Sequence, residues 1–388
     1  MAEFEPRRAF EHIDKLAYEI GPRLAGTRGD SMAAEYIQKQ FQSYGLKVKI
    51  HKFKFVNRSA RSKVTACLFA AAFIASLLLT PEFSILAWLV AIALWRSLGK
   101  LMPKRMSQNI IAFRRVEAPK KRIAVTAHYD SAPCRVSLGL QNFLKFTFMP
   151  SLVIVLTISV LRFLGLVPLW HVAWTVQALV FLPICAGYFV TASSRRVSPG
   201  AGDNASGVAV MLEAARVLAE SPPEDTELNF IAFGAEEQGL VGARKLVKER
   251  LLPHETIVLN LDVVGAGSQA YVIEGTGILR HNRTSAKLNG ILLASIQKAE
   301  LEPKYWWAAL AGYDHIPFVK AGMQATTFSF DTPEVDKLGR RIAKIFNLPN
   351  ARVRGHRYIH TADDIPEHIE LERIEKAGEI VLDFVKTA

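Results

Sequence analysis

Five stretches of the chain carry histidines and carboxylates, the side chains that bind divalent metals and transfer protons. They are His128-Tyr129-Asp130, Asp203 within 199–207, Glu236-Glu237, Asp262 and His360. Histidine nitrogen suits zinc, and a carboxylate has two oxygens with which it can bridge two ions. Two histidines with three or four carboxylates therefore predict a site for a pair of zinc ions.

The candidate ligands follow apolar runs that are predicted to be buried strands. His128 follows the run 122–127, the two glutamates follow 227–233, and Asp262 ends 257–262. Ligands of open α/β sheets collect at the carboxyl ends of the strands, so these side chains are expected to meet at one edge. Taken singly, each has an ordinary explanation, such as helix capping at 199–207 or charges at a helix start for the glutamates.

The spacing also suggests a role for individual residues. Asp203 stands on a glycine-rich loop between the other ligands in sequence, which suits a carboxylate that bridges both ions. One of two adjacent glutamates can bind metal while the other serves as the base for a water. Asp130 lies two residues after His128 and points the same way on an extended chain, so it could hold the imidazole or the backbone around it.

The elements that must position these residues alternate between strand and helix. Helical periodicity covers 10–20, 31–44, 207–219, 239–251, 285–299 and 369–385, and 46–55 and 109–115 add two strands. This alternation predicts an α/β fold, with the whole chain, 1–388, forming a single domain.

Two pairs of almost wholly apolar segments interrupt this pattern. The first pair is 64–79 with 83–95, and the second is 146–161 with 167–190. We predict two inserted transmembrane hairpins, 62–99 and 143–192, with the lipid bilayer as partner. A buried core hairpin is the alternative, and a re-entrant first hairpin is a second one.

The charge pattern bears on partners and orientation. The net charge is +12, but no arginine-rich arm, zinc finger or RNA-binding aromatic signature is found, so an anionic lipid surface is favoured over nucleic acid. A basic, partly apolar stretch, 337–357, is predicted to lie on lipid headgroups, with a solvated loop as the alternative. Basic flanks place both termini and the site in the cytoplasm, with four spans. The three cysteines form no CxxC pair and imply no disulfide framework. The sequence leaves the oligomeric state unknown.

Six motifs in order resemble the co-catalytic zinc aminopeptidases of metallopeptidase family twenty-eight, which also includes glutamate carboxypeptidases and glutaminyl cyclases. They are His128-Tyr129-Asp130, Gly202–Gly207, Ala235-Glu236-Glu237, Asn260-Leu261-Asp262, Asp314–Phe318 and His360–Asp364, preceded by Ile20–Thr27. The resemblance implies the zinc-dependent exopeptidase fold, a mixed central sheet flanked by helices.

The resemblance also assigns roles. It implies that Asp203 bridges two zinc ions, that His128 and Asp262 complete one ion, and that Glu237 and His360 complete the other. Glu236 would be the general base, with Asp130 behind His128. The function implied is a membrane-bound peptidase, an aminopeptidase in the first instance, acting on peptides.

Two other functions remain open. A glutaminyl cyclase would bind one zinc ion, and a membrane scaffold on a retired peptidase fold would bind none. Around Asp314-His315, Tyr313 is a candidate for stabilising an oxyanion, and Trp306 and Trp307 are candidates for a pocket wall or for core residues. These five residues are our predicted substrate contacts.

Overall fold

The apolar strands and the two hydrophobic pairs belong to different units of the structure, a computed structural model. It describes residues 3–134, 138–166, 170–194, 196–278, 281–309, 311–331 and 358–388. The sheet unit comprises Met1–Lys54, Met106–Pro133 and Val197–Ala388, and the helical unit comprises Phe55–Arg105 and Cys134–Arg196. The predicted stretch 337–357 lies outside the described residues.

Nine strands are found in the described part of the chain. They are β1 (Lys47–Val56), β2 (Lys104–Arg114), β3 (Lys121–His128), β4 (Thr226–Phe233), β5 (Ile257–Leu261), β6 (Gln269–Thr276), β7 (Asn282–Arg283), β8 (Pro303–Ala308) and β9 (Ala325–Asp331). They form one sheet in the order β1-β2-β4-β3-β5-β9-β6-β7, and β8 pairs with β6. Strands β3, β4, β5 and β9 run parallel to their neighbours in this series, whereas β2 and β6 pair antiparallel with β4 and β9. The sheet is therefore mixed, and its parallel centre brings the carboxyl ends of β3, β4 and β5 to one edge.

The helices of the sheet unit cover both faces of this sheet. They are α1 (Pro6–Asp14, extended by a π-helical turn, Lys15–Ile20), α2 (Arg28–Ser43), α7 (Ser206–Glu220), α8 (Val241–Lys248), α9 (Ala286–Lys298), α10 (His315–Lys320) and α11 (Leu371–Thr387), with a 3-10 turn at Pro366–His368. Alternate residues of β3 enter different cores, because side chains of a strand point to opposite faces. Ile123 and Val125 pack with α1, α2, α7, α9 and α11, while Ala124 packs with α8 and α10.

The helical unit consists of α3 (Arg58–Leu78), α4 (Pro81–Leu101), α5 (Leu138–Phe163) and α6 (Trp170–Thr191). Aromatic side chains form its interior, among them Phe73, Trp174 and Phe181, and the ring centroids of the last two lie 5.0 and 5.4 Å from that of Phe73. Arg162, at the end of α5, donates hydrogen bonds to the carbonyls of Ser76 (2.8 Å) and Leu79 (3.1 Å). The turn after α3 and the end of α5 are therefore at the same end of this unit.

Three of these helices are long and apolar enough to cross a membrane: Arg58–Leu78, Pro81–Leu101 and His171–Thr191. A shorter apolar stretch, Thr147–Phe163, lies in α5. Large apolar side chains such as Leu78 (80% exposed) and Leu179 (74% exposed) face outward. Soluble proteins rarely expose large apolar patches, so the length, composition and exposed leucines of these helices are consistent with membrane spans.

The predicted fold class, a mixed sheet flanked by helices with two inserted hydrophobic pairs, is confirmed. The first pair extends beyond the predicted 62–99 at both ends. Its first helix starts at Arg58, where the Asn57 side chain accepts a hydrogen bond from the Ala60 amide (2.9 Å). Polar residues at this start concealed the extra turn from a search for apolar runs.

Candidate metal centre

The strand ends deliver the first group of candidate ligands. His128 is the last residue of β3, Asp262 directly follows β5, and Glu236 and Glu237 lie just beyond β4. Next to these ligands, Ala235 (φ 58°) and Val263 (φ 56°) have left-handed backbones, as does His360 itself (φ 59°). Non-glycine residues take this conformation at a cost of about 1–3 kcal/mol, and such residues cluster at functional sites.

Loops from elsewhere in the chain add Asp203 and His360. The Asp203 carboxylate lies between the two histidines: its Oδ1 is 3.1 Å from Nε2 of His128, and its Oδ2 is 2.7 Å from Nε2 of His360. Nε2 of His128 is also 3.9 Å from Oδ1 of Asp262, and Nε2 of His360 is 2.8 Å from Oε1 of Glu237. The structure thus forms two triads that share Asp203.

Each triad has the dimensions of a metal site. One contains His128, Asp203 and Asp262, the other Asp203, Glu237 and His360, and within each a donor atom from every residue lies within 4.8 Å of the others. Ligands about 2.0–2.1 Å from a tetrahedral zinc ion lie about 3.3 Å apart, and the observed 2.7–3.9 Å separations bracket this value. The donor set, one imidazole and two carboxylates at each position, therefore fits zinc.

The electrostatics of the cluster also favour a cation at each position. Burial opposes charge on both histidines, yet the neighbouring carboxylates outweigh it. They raise the pKa of His360 to about 9 and that of His128 well above its usual value. For Asp203, burial acts upward, but His360 and His128 hold its pKa well below the usual range. A site that attracts protons so strongly offers the same attraction to a divalent ion.

Glu236 lies beside the triads and in neither of them. Burial raises its pKa well above the usual value, and the Glu237, Asp314 and Asp262 carboxylates add to the shift while His128 opposes it. A carboxyl group with a raised pKa beside a metal site suits proton transfer.

Asp130 contacts the glutamate loop through its carboxylate. Its two oxygens accept the amides of Glu236 (2.9 Å) and Glu237 (3.2 Å). The ring of His128 instead places Nδ1 3.1 Å from the Asp130 backbone oxygen and 3.8 Å from its Oδ1. The imidazole is therefore oriented by the backbone of Asp130, and the side chain positions Glu236 and Glu237.

Three residues around the candidate ligands were not predicted to support the metal site. The Asn204 side chain donates to the Leu261 carbonyl (2.8 Å) and accepts the Val263 amide (3.1 Å), so it flanks Asp262 from both sides. The Asp203–Asn204 peptide bond is cis. Arg23 and Asp364 contact the Asp203 loop. All three stand inside the motifs named above, but only the fold shows what they touch.

The predicted substrate residues divide into two groups. Tyr313, Asp314 and His315 are buried, and the Asp314 carboxylate interacts electrostatically with His128, Asp262 and Glu237, which places it near the metal centre. Burial raises the pKa of Asp314 to about 7, with Asp262 and Glu237 adding to the shift and His128 opposing it. The Asp314 carboxylate has no hydrogen-bond partner among the described residues.

The two tryptophans lie on β8. Trp306 packs on Tyr271 (5.5 Å between ring centroids) in one apolar cluster with Tyr313. Trp307 is fully buried and donates to the Gly277 carbonyl (2.9 Å). Trp306 therefore connects to the site through Tyr313, whereas Trp307 is packed within the protein.

Comparison with known sequences identifies the family. The profile of Peptidase family M28 matches residues 189–385, half of the chain. The aminopeptidase YwaD of Bacillus subtilis (strain 168) is 35% identical over 195 residues, which make up 47% of this chain and 36% of that protein. The match thus spans about a third of the length of this relative.

Solved structures share the fold. A zinc aminopeptidase from Bacillus subtilis superposes with a TM-score of 0.59 at 21% identity, covering 99% of this chain and 95% of that one. A glutaminyl cyclase from Bacteroides thetaiotaomicron gives a TM-score of 0.60 at 16% identity, covering 100% and 99%. At this identity the likeness establishes the architecture alone.

Proposed function

The chain belongs to peptidase family M28, and from this premise we propose that it is a membrane-bound di-zinc aminopeptidase that releases N-terminal residues from peptides. The observation that carries the proposal is the position of Asp203, whose two carboxylate oxygens face different histidines. This arrangement lets Asp203 bridge two ions. His128 and Asp262 would complete one ion, and Glu237 and His360 the other.

The residues around the ions would have different roles in peptide hydrolysis. Bound zinc supplies Lewis acidity, which lowers the pKa of water and polarises a carbonyl. The Glu236 carboxylate accepts a proton from the attacking water and returns it to the nitrogen of the leaving amine. Asp130 holds the backbone of Glu236, so the base keeps its place while its charge changes.

The aminopeptidase assignment is tested on the purified full-length protein in detergent. We expect two zinc ions per chain and release of the first residue from peptides with a free N-terminus, with no release once that amine is acetylated. One zinc ion with conversion of N-terminal glutamine to pyroglutamate would replace the proposal with a cyclase. A metal-free, inert wild type would favour a scaffold.

We further propose four membrane spans with the termini and the metal centre in the cytoplasm. Positive charges at the ends of α3 and α4 away from their turn support this, since such flanks stay cytoplasmic. The residues are Arg58, Arg61, Lys63, Arg96, Lys100, Lys104 and Arg105. The turn itself carries Thr80 and Glu82, and Arg162 lies at the same end.

Cysteine labelling tests this orientation. In a variant without the three native cysteines, Thr80→Cys should react with an impermeant maleimide from outside intact cells, whereas Glu375→Cys should react only after lysis. Both positions are exposed. Labelling of Glu375→Cys in intact cells would reverse the orientation.

A further inference from the structure

The loop that carries Asp203 is held from two sides by oppositely charged side chains. The guanidinium of Arg23 donates to the carbonyls of Pro199 (2.6 Å) and Gly200 (2.8 Å). At Gly202 and Asp203, later in the same loop, the backbone amides donate to the Asp364 carboxylate (2.6 and 3.2 Å). Both oxygens of Asp364 and both ends of the loop are engaged, so the backbone at Asp203 has little freedom to move.

Arg23 also connects this loop to the one that follows His128. Its Nε donates to the Tyr129 carbonyl (2.7 Å), and its own amide donates to the Ser131 hydroxyl (3.0 Å). That hydroxyl in turn donates to the Ser198 carbonyl (2.8 Å). Along the chain, the entire second hydrophobic pair separates Ser131 from Ser198, so these contacts set the distance between His128 and Asp203.

The local backbone is shaped around an arginine. Arg23 is fully buried, and burial lowers its pKa to about 10, which leaves it charged at neutral pH. At Gly200, whose φ is 66°, a Cβ would lie 2.9 Å from Nη2 of Arg23 and 2.7 Å from the Asp203 backbone oxygen. A planar guanidinium can donate to several carbonyls in fixed directions, whereas a lysine ammonium has three donors at a single point.

We propose that Arg23 and Asp364 are positioning residues that fix the Asp203 carboxylate where it can reach both ions. The proposal rests on the two-zinc function above. Asp203 can bridge only if each oxygen keeps its direction, and the backbone contacts to Arg23 and Asp364 supply that constraint. Loss of partners behind a metal ligand typically weakens metal binding by about 10–100-fold.

Metal affinity and a spectrum, both independent of turnover, provide the test. We would measure zinc affinity by competition with a chelator, and the visible absorption of the cobalt-substituted protein, for Arg23→Lys, Arg23→Met and Asp364→Asn. Arg216→Lys is the matched control. Arg216 is another largely buried arginine, and it donates hydrogen bonds to a backbone carbonyl and to carboxylates. It lies ten residues after Ser206 in α7, which is about 15 Å along the helix.

We expect each Arg23 and Asp364 variant to bind at least one ion about 10–100-fold more weakly and to change the cobalt spectrum. Arg23→Lys should not restore zinc affinity, because the several donors of the planar guanidinium are required and a positive charge alone is not sufficient. Arg216→Lys should lower thermal stability and leave both readouts unchanged. In the Arg23→Met/Asp364→Asn double variant, the losses should be less than additive because both residues hold one loop.

Two results would overturn the proposal: wild-type zinc affinity and cobalt spectrum in Asp364→Asn, or full rescue by lysine at position 23. If Arg23→Met cannot be produced as folded protein, the result for Asp364→Asn alone decides whether the proposal stands. Failure of the two-zinc function would be visible in the wild type as a different stoichiometry, so it cannot be mistaken for failure of the positioning role.

Discussion

Replacement of Asp130 by asparagine separates two possible roles for this residue. In the structure its carboxylate accepts the amides of Glu236 and Glu237, and the His128 ring is oriented by its backbone. The asparagine would keep that backbone and one acceptor oxygen, but it would place an NH2 group against the other amide. The substitution should therefore disturb the glutamate loop and spare the ion held by His128.

The size of the effect follows from the bond that is lost. A hydrogen bond to a charged group contributes about 1.5–3 kcal/mol, and the bond from the Glu237 amide is buried while that from the Glu236 amide is partly buried. If this loss falls on the position of Glu236 and Glu237, it corresponds to a decrease of about ten- to 150-fold in kcat/KM and in affinity for the ion bound by Glu237. Asp30→Asn is the control, since Asp30 is a buried carboxylate that also accepts two hydrogen bonds, from Gly26 and Ser107.

Reference variants show which ion is affected. His360→Ala should retain only the ion of His128 and Asp262, and His128→Ala only the ion of Glu237 and His360. When one equivalent of cobalt is bound, Asp130→Asn should give the absorption spectrum of His360→Ala, because both variants should retain the ion of His128 and Asp262. A spectrum matching His128→Ala would refute the reasoning, because it would mean that the Asp130 side chain supports the histidine.

Three further predictions concern the base, the bridge and acid stability. Glu236→Gln should keep both zinc ions and lose about 10²–10⁴-fold in kcat, and near-normal turnover would remove Glu236 from its role. Asp203→Ala should lose both ions by metal analysis, so two retained ions would contradict the bridging assignment. Burial, with Arg8 nearby, lowers the pKa of His12 to about 4. As the pH falls from 6.5 to 4, the unfolded chain therefore takes up a proton before the folded protein does, and the folded state loses stability across that range. Between pH 7.5 and pH 5 the wild type should lose about 2 kcal/mol more than His12→Phe in denaturant unfolding, and equal losses would show that His12 stays solvated.

The meeting of candidate ligands at one sheet edge could be predicted because three of their segments follow apolar runs and because alternating strands and helices favour a parallel sheet. The apolar runs 122–127, 227–233 and 257–262 correspond to parallel neighbours in the sheet, so the residues at their carboxyl ends converge. The four strands on the far side, β6 to β9, were not predicted. Pro303–Ala308 carries adjacent tryptophans and lacks the polar–apolar alternation of a half-buried strand. Ala325–Asp331 does alternate from Thr327 to Asp331, although all of its residues are buried, so this strand could have been predicted.

The polar residues that hold the loops could not be assigned roles from sequence. Arg23 and Asp364 contact backbone carbonyls and amides, and a backbone partner leaves no mark in the residue type at that position. Asp130 shows the same limit, since its place two residues after His128 suggested a contact with the ring. The register of β3 and β4 instead pairs His128 with Phe233. The Glu236 amide therefore lies within hydrogen-bond distance of the Asp130 carboxylate.

Three of the segments that carry candidate ligands are held by a polar side chain from another part of the site. Asp130, next to His128, holds the glutamate loop; Asn204, next to Asp203, holds the strand end at Asp262; and Asp364, near His360, holds the Asp203 loop. The relative positions of the ligands thus depend on contacts across loops more than on the length of chain between them. This explains how a pair of hydrophobic helices can stand between His128 and Asp203 in sequence without separating the two residues in space, since Arg23 and Ser131 join the strand end on one side to the returning chain on the other.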